Sequence, residues 1–259
     1  MSGYTGLAAA YDKLMSANVD YRRMCGYVMA LFSRHGHMPE IVLDAACGTG
    51  SLALQMLKRG IEVIGADASA DMLAMAAQKA AAKGLVLPLV NQPLEKLDLY
   101  GSVDGAVCTL DSLNHITGRR ELYAAIKNIG TFLRPGGLFV FDVNTRYKHS
   151  HVLANRVFTY DLEDVFCTWQ NRTKGDVTRM TLDIFSREGT LWRRDSDTIT
   201  ERHWPHALLR DALAAAGMRI AGVYGEYTFG SPRTREERVF YVAKRVAWKA
   251  FNSACGHNY

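Results

Sequence analysis

Apolar positions along this chain come in two spacings that keep exchanging places. Residues 41–43 form a short unbroken apolar run, the mark of a strand buried on both faces. Past Gly50 the apolar positions shift to 52, 54, 56 and 57, a helix that Gly60 ends. Residues 61–66 read as a second strand, closed by Asp67. The next helix, 69–83, takes Ser69 as its cap, turns Met72, Leu73, Met75 and Ala76 inward, and stops at Gly84. A third strand is expected over 85–90, ending at Asn91-Gln92, and residues 93–100 then form a loop. The fourth strand spans 103–109, a helix covers 119–132, Pro135-Gly136-Gly137 make a turn, and 138–143 form the fifth strand. Such regular exchange predicts an α/β fold, a doubly wound parallel sheet with helices on both faces.

The exchange is interrupted twice. Residues 4–37 are all helical in spacing, with Leu7, Tyr11, Leu14 and Met15 on one face and Tyr21, Met24, Tyr27, Val28 and Leu31 on another. After residue 144 about sixty residues stand where a short crossover suffices. They alternate with period two over 157–161, 165–171, 177–187 and 191–202, with turn signals at Lys174-Gly175-Asp176 and Glu188-Gly189-Thr190. We read 145–203 as an inserted antiparallel β lobe that caps the crevice at the strand ends and carries Tyr160, Trp169, Phe185 and Trp192. A helix at 205–216, stopped by Gly217, and strands at 218–227 and 238–244 complete the pattern, while 246–259 fits no element. With no repeat or linker, 1–259 reads as one domain with N-terminal helices at 1–38 and the inserted lobe.

Chemistry enters at the first glycine turn. Gly48 and Gly50 bracket one Thr between a strand and a helix, where backbone can approach a ligand closely. Asp44 ends the strand with a carboxylate able to hold a hydroxyl or ammonium group. Asp67 lies 19 residues beyond Gly48, at the distance of a ribose-binding acid, and it also stands where it can cap the helix starting near Ser69. A nicotinamide fingerprint, G-x-G-x-x-G, needs a third glycine that this chain lacks.

The ordered set Leu43-Asp44-Ala45-Ala46-Cys47-Gly48-Thr49-Gly50, Gly65-Ala66-Asp67-Ala68-Ser69 and Leu133-Arg134-Pro135-Gly136-Gly137 resembles the class I S-adenosylmethionine-dependent methyltransferases. The likeness covers about residues 4–145 and resumes at 200–245. It implies a seven-stranded Rossmann-like sheet with an antiparallel last strand, S-adenosylmethionine as cofactor and S-adenosylhomocysteine as product. It implies cofactor contacts from Tyr11, Tyr21, Asp44, Ala46, Gly48, Gly50, Asp67, Ala68, Met72, Gln92, Pro93 and Leu110. Tyr11 and Tyr21 match residues that line the methionine end, and they also suit plain helix packing. Gln92 stands where the family commonly has an acid facing the adenine amino group. Residues 110–115 follow the fourth strand beside the reactive methyl, so His115 is the first choice of proton acceptor and Asp111 the second. His149, His151 and His203 are weaker candidates. No His, Asp or Glu spacing suggests a metal.

Composition narrows the reading only a little. A hydrophobic content of 48% and a charged content of 22% over 259 residues suit a globular chain with a sizeable core. No apolar run is long enough to span a membrane, the N-terminus lacks the pattern of a signal peptide, and five scattered cysteines read as reduced thiols, so a cytoplasmic monomer or homodimer is expected. Between residues 144 and 203 ten Lys and Arg face nine Asp and Glu, a poor track for phosphates. These observations favour a small-molecule methyl acceptor at N or O. An RNA or protein methyltransferase of the same fold, or a non-catalytic cofactor-binding module, stays open.

Overall fold

The computed structural model describes residues 10, 12–15 and 18–246. The expectations for Tyr11, Cys255 and the segment 247–259 fall outside the described residues. A seven-stranded sheet runs in the order β10-β11-β5-β4-β1-β2-β3. Its strands are β1 (Ile41–Ala45), β2 (Glu62–Asp67), β3 (Leu89–Asn91), β4 (Val103–Cys108), β5 (Leu133–Asn144), β10 (Met218–Gly225) and β11 (Arg238–Arg245). β1 to β5 are parallel, and β11 is antiparallel to both neighbours. The order reverses at β1, so a crevice opens between the C-terminal ends of β1 and β4, the place where such sheets bind ligands.

Alternation within each strand supplies two cores. Val42 and Val140 face one side, where they pack with Met24, Val28 and Phe32 of α1 (Tyr21–Arg34) and Leu52 and Met56 of α2 (Ser51–Leu57). Leu43, Phe139 and Phe141 face the other, against Leu122, Ile126 and Ile129 of α4 (Arg119–Phe132) and Leu209 and Leu213 of α5 (His206–Ala215). Each such fully buried side chain contributes about 1.5–3 kcal/mol of transfer free energy. α3 (Ala70–Ala81) is capped by Ser69, whose hydroxyl accepts the Met72 amide, as expected.

A separate antiparallel sheet, β6-β7-β8-β9, comprises Val157–Leu162, Val165–Lys174, Val177–Glu188 and Leu191–Arg202. Two of its three hairpins turn at Gly175 (φ +61°) and Gly189 (φ +64°), the glycines expected there. One face is apolar, with Val165, Cys167, Met180, Leu182 and Ile199 packed around Leu14 of the N-terminal segment.

Three expectations shift. β3 is only Leu89–Asn91, because Pro88 has no N–H to give to a ladder and interrupts the run from 85. Pro135-Gly136-Gly137 lie inside β5 as a bulge: β4 pairing jumps from Leu133 to Leu138 while β4 advances only from Val103 to Gly105. β10 stops at Gly225, two residues early. Between β5 and β6 there is also an unforeseen π-helical turn, Lys148–Leu153.

Candidate active site

At the end of β1 the chain turns through Ala46 (φ +62°), Gly48 (φ +53°) and Gly50 (φ +73°). A side chain at Gly48 would meet nothing within 4 Å, so this turn leaves open space on its cavity side. Gly50 serves packing instead: a Cβ there would stand 3.0 Å from Ala76 Cβ of α3. Asp67 locks the turn. Its Oδ2 accepts the Gly48 amide at 2.9 Å and its Oδ1 the Ser69 amide at 2.9 Å, so it holds both the turn and the start of α3. Burial nevertheless leaves the Asp67 carboxyl above its ordinary pKa.

The N-terminal segment is tied onto the same turn. Asp12 accepts a hydrogen bond from the Thr49 hydroxyl at 2.6 Å and pairs with Lys79 at 2.6 Å, while Lys79 also donates to Ser51 Oγ at 2.7 Å. Asp44 lies beneath, 2% exposed, and its Oδ2 has no hydrogen-bond partner among the described residues. Burial, and then the neighbouring charge of Asp67, push it up to about 7.

The end of β4 is built around a buried arginine. Leu110 (φ +57°) and Asp111 (φ +52°) both sit in the left-handed region, at a cost on the order of 1–3 kcal/mol each. Both of their amides donate to the Asp142 carboxylate of β5, at 2.8 and 2.7 Å. Arg238 of β11 then bridges Asp142 to Asp111, with Nη2 2.6 Å from Asp111 Oδ1, and it also pairs with Glu226 at 3.3 Å. Burial opposes the charge on Asp111, but Arg238 and then Lys148 hold its carboxyl far below the usual carboxylate range.

Glu201 of β9 reaches this cluster from the second sheet. It accepts a hydrogen bond from Asn144 Nδ2 at 3.0 Å and shares another with the Asp111 side chain. Burial, and then the Asp111 charge, raise Glu201 well above its ordinary pKa, so it holds the proton of that pair. His115 Nε2 stands 4.0 Å from Asp111 Oδ2 and 3.9 Å from Glu201 Oε1. Burial lowers the His115 pKa against the pull of Asp111, so the imidazole is neutral at pH 7.

These groups border one cavity of about 230 Å³. Of the expected site residues, Ala46, Gly48, Asp67, Ala68, Met72, Pro93, Leu110, Asp111 and His115 line it. Asp44, Gly50, Tyr21 and Gln92 do not. Tyr21 packs beside the α1 core, and Gln92 Oε1 accepts the Asp98 amide at 2.7 Å, an internal turn bond that the sequence did not announce. Of the four aromatics expected to face the crevice, Tyr160 and Trp169 line the cavity, whereas Phe185 and Trp192 do not and Trp192 is 47% exposed. Glu201 escaped sequence reading because its relation to residue 111 exists only across the two sheets, and Asn144 and Lys148 because they reach that residue from the end of β5 and the turn after it. Cys25, Cys47, Cys108 and Cys167 are free thiols, and no described helix is long and apolar enough to cross a membrane.

Comparison with known proteins fits this architecture. A family model described as a methyltransferase domain matches residues 42–137. YqeM of Bacillus subtilis (strain 168) is 29% identical over 244 residues, covering 93% of this chain and 97% of that protein. The crystal structure of an S-adenosylmethionine-dependent methyltransferase from Clostridium acetobutylicum ATCC 824 superposes with a TM-score of 0.86 at 30% identity, covering 94% of this chain and 99% of that one. The sugar N-methyltransferase KedS8 from Streptoalloteichus sp. ATCC 53650 shares the fold at a TM-score of 0.76 and 22% identity, covering 92% and 93%.

Proposed function

We propose that this chain, which belongs to the class I S-adenosylmethionine-dependent methyltransferases, methylates a small molecule at nitrogen or oxygen. The observation that carries this reading is the cavity itself: the glycine turn and Asp67, the cluster of Asp111, His115 and Glu201, and the apolar face of the second sheet all line one space. Bound there, S-adenosylmethionine supplies an electrophilic methyl on a sulfonium.

The residues present suit that cofactor. Gly48 leaves room beside its backbone, and Asp67 keeps acceptor capacity on both oxygens after taking one amide each, enough for a ribose diol. Ala46, Ala68, Met72, Pro93 and Leu110 offer an apolar bed. Asp12, bonded to Thr49 and Lys79, ties residues 12–15 to the glycine turn. Residues of 145–203 shape the acceptor chamber through Tyr160, Trp169, Met180 and Leu182. Orientation and closeness of the acceptor are worth several kcal/mol in such a displacement. His115, neutral and facing Asp111, receives the acceptor's proton.

KedS8 methylates sugars by name, and a small acceptor for this chain agrees with that neighbour and with the mixed charge of residues 144–203. Incubation with methyl-labelled S-adenosylmethionine and a fractionated cell extract tests the reading. Label in the low-mass fraction is expected; label confined to RNA or to protein would overturn it.

A further inference from the structure

We propose that Asp111, His115 and Glu201 form a binding site for a divalent metal ion at the acceptor end of the cavity. Their donor atoms lie within 4.8 Å of one another, and all three side chains line the cavity wall. Asp111 is set for this by its surroundings. Arg238 occupies Oδ1, and Oδ2 stands 4.0 Å from His115 Nε2. Such outer partners fix the direction of ligating carboxylates in metal sites.

A second observation points the same way. His149, 2% exposed, uses Nδ1 in a hydrogen bond to Thr178 Oγ1 at 2.9 Å. That bond fixes the ring and leaves Nε2 3.7 Å from Glu201 Oε2, beyond hydrogen-bond reach and with no hydrogen-bond partner among the described residues. A buried ring nitrogen left beside a carboxylate in this way is an available fourth donor or a support for one. Two carboxylates and an imidazole suit manganese, iron, cobalt or zinc better than calcium or cuprous copper.

The inference rests on the methyltransferase reading of this cavity and narrows it. A cation on these side chains would hold an oxygen acceptor, a hydroxyl, enol or carboxylate, and favour its deprotonated form with the proton leaving to water, and His115 would then be a ligand in place of the proton acceptor of the metal-free reading. The site also needs both sheets, since Glu201 comes from β9 and the other two from the segment after β4.

Manganese(II) is a clean probe because thiolates bind it poorly. Titrated into the full-length protein and followed by the electron paramagnetic resonance of the free ion, it is expected to fill one saturable site per chain. Affinity should fall at least tenfold in Glu201→Gln and in His115→Asn, and stay unchanged in His151→Ala, an exposed histidine. No saturable binding, or binding undiminished in both variants, overturns the proposal. Calorimetry with S-adenosylhomocysteine on each variant identifies misfolding, and if Glu201→Gln misfolds then His115→Asn decides. Cofactor binding without a manganese site sinks the metal alone; a manganese site without cofactor binding sinks the methyltransferase reading of the cavity.

Discussion

Asp67 Oδ2 accepts the Gly48 amide at 2.9 Å, which joins the end of the second strand to the turn after the first. One carboxylate therefore sets the shape of the glycine turn and also faces the cavity. Binding and local structure are coupled at this residue.

Replacing Asp67 with Ala should weaken S-adenosylhomocysteine binding by ~2–3 kcal/mol, roughly a hundredfold, through loss of a charged contact to a diol. Calorimetry reads it directly. Wild-type affinity in the variant would remove Asp67 from the cofactor site.

Arg238 is enclosed by Asp111, Asp142 and Glu226. Arg238→Gln should cost about 3–5 kcal/mol in urea unfolding, because it leaves buried carboxylates without their counterion. Adding Asp111→Asn should cost less than the sum of the two single changes, since the pair acts as one unit. Strict additivity would show that the two residues are not coupled.

Asp44 makes stability fall with pH. Its folded pKa is about 7, whereas the unfolded chain releases the same proton near ~4. Folded protein thus binds more protons across that window, so stability declines as pH rises through it and levels off above 7. Asp44→Asn removes the decline. Denaturant curves should show the variant gaining on wild type from pH 5 to pH 8, by a few kcal/mol at most. A gap that stays constant with pH would place the Asp44 titration elsewhere.

Trp169 borders the cavity and Trp192 does not. An acceptor that enters should quench the fluorescence of wild type and of Trp192→Phe, and leave Trp169→Phe nearly silent. This contrast doubles as a screen for acceptors. Equal quenching in both variants would mean that ligands bind outside the chamber.

Local chemistry explains what was legible beforehand. Gly48, Gly50, Gly175 and Gly189 announce their turns because each takes a positive φ, and Ser69 announces a helix because its hydroxyl takes an amide. Val42 and Leu43 announce a two-faced strand because opposite cores await them. Glu201 was hidden among the nine acids between residues 144 and 203, and only β9 register places it inward. Arg238 looked like no more than the first residue of the last strand. His149 sits on a π-helical turn with no periodic signal, and Gln92 was drawn away by the Asp98 amide.

β11 is the last strand in the chain order, yet it lies between β5 and β10, and its first residue grips Asp111, 127 positions earlier. The chronology of synthesis follows from this. A nascent chain can form β1 to β4 and their helices, but Asp111 of the left-handed pair lacks its paired guanidinium until residue 238 emerges. Competence to receive an acceptor therefore arrives late, with the closing of the sheet, and a partly made chain that already folds its glycine turn has no finished chamber in which to use it.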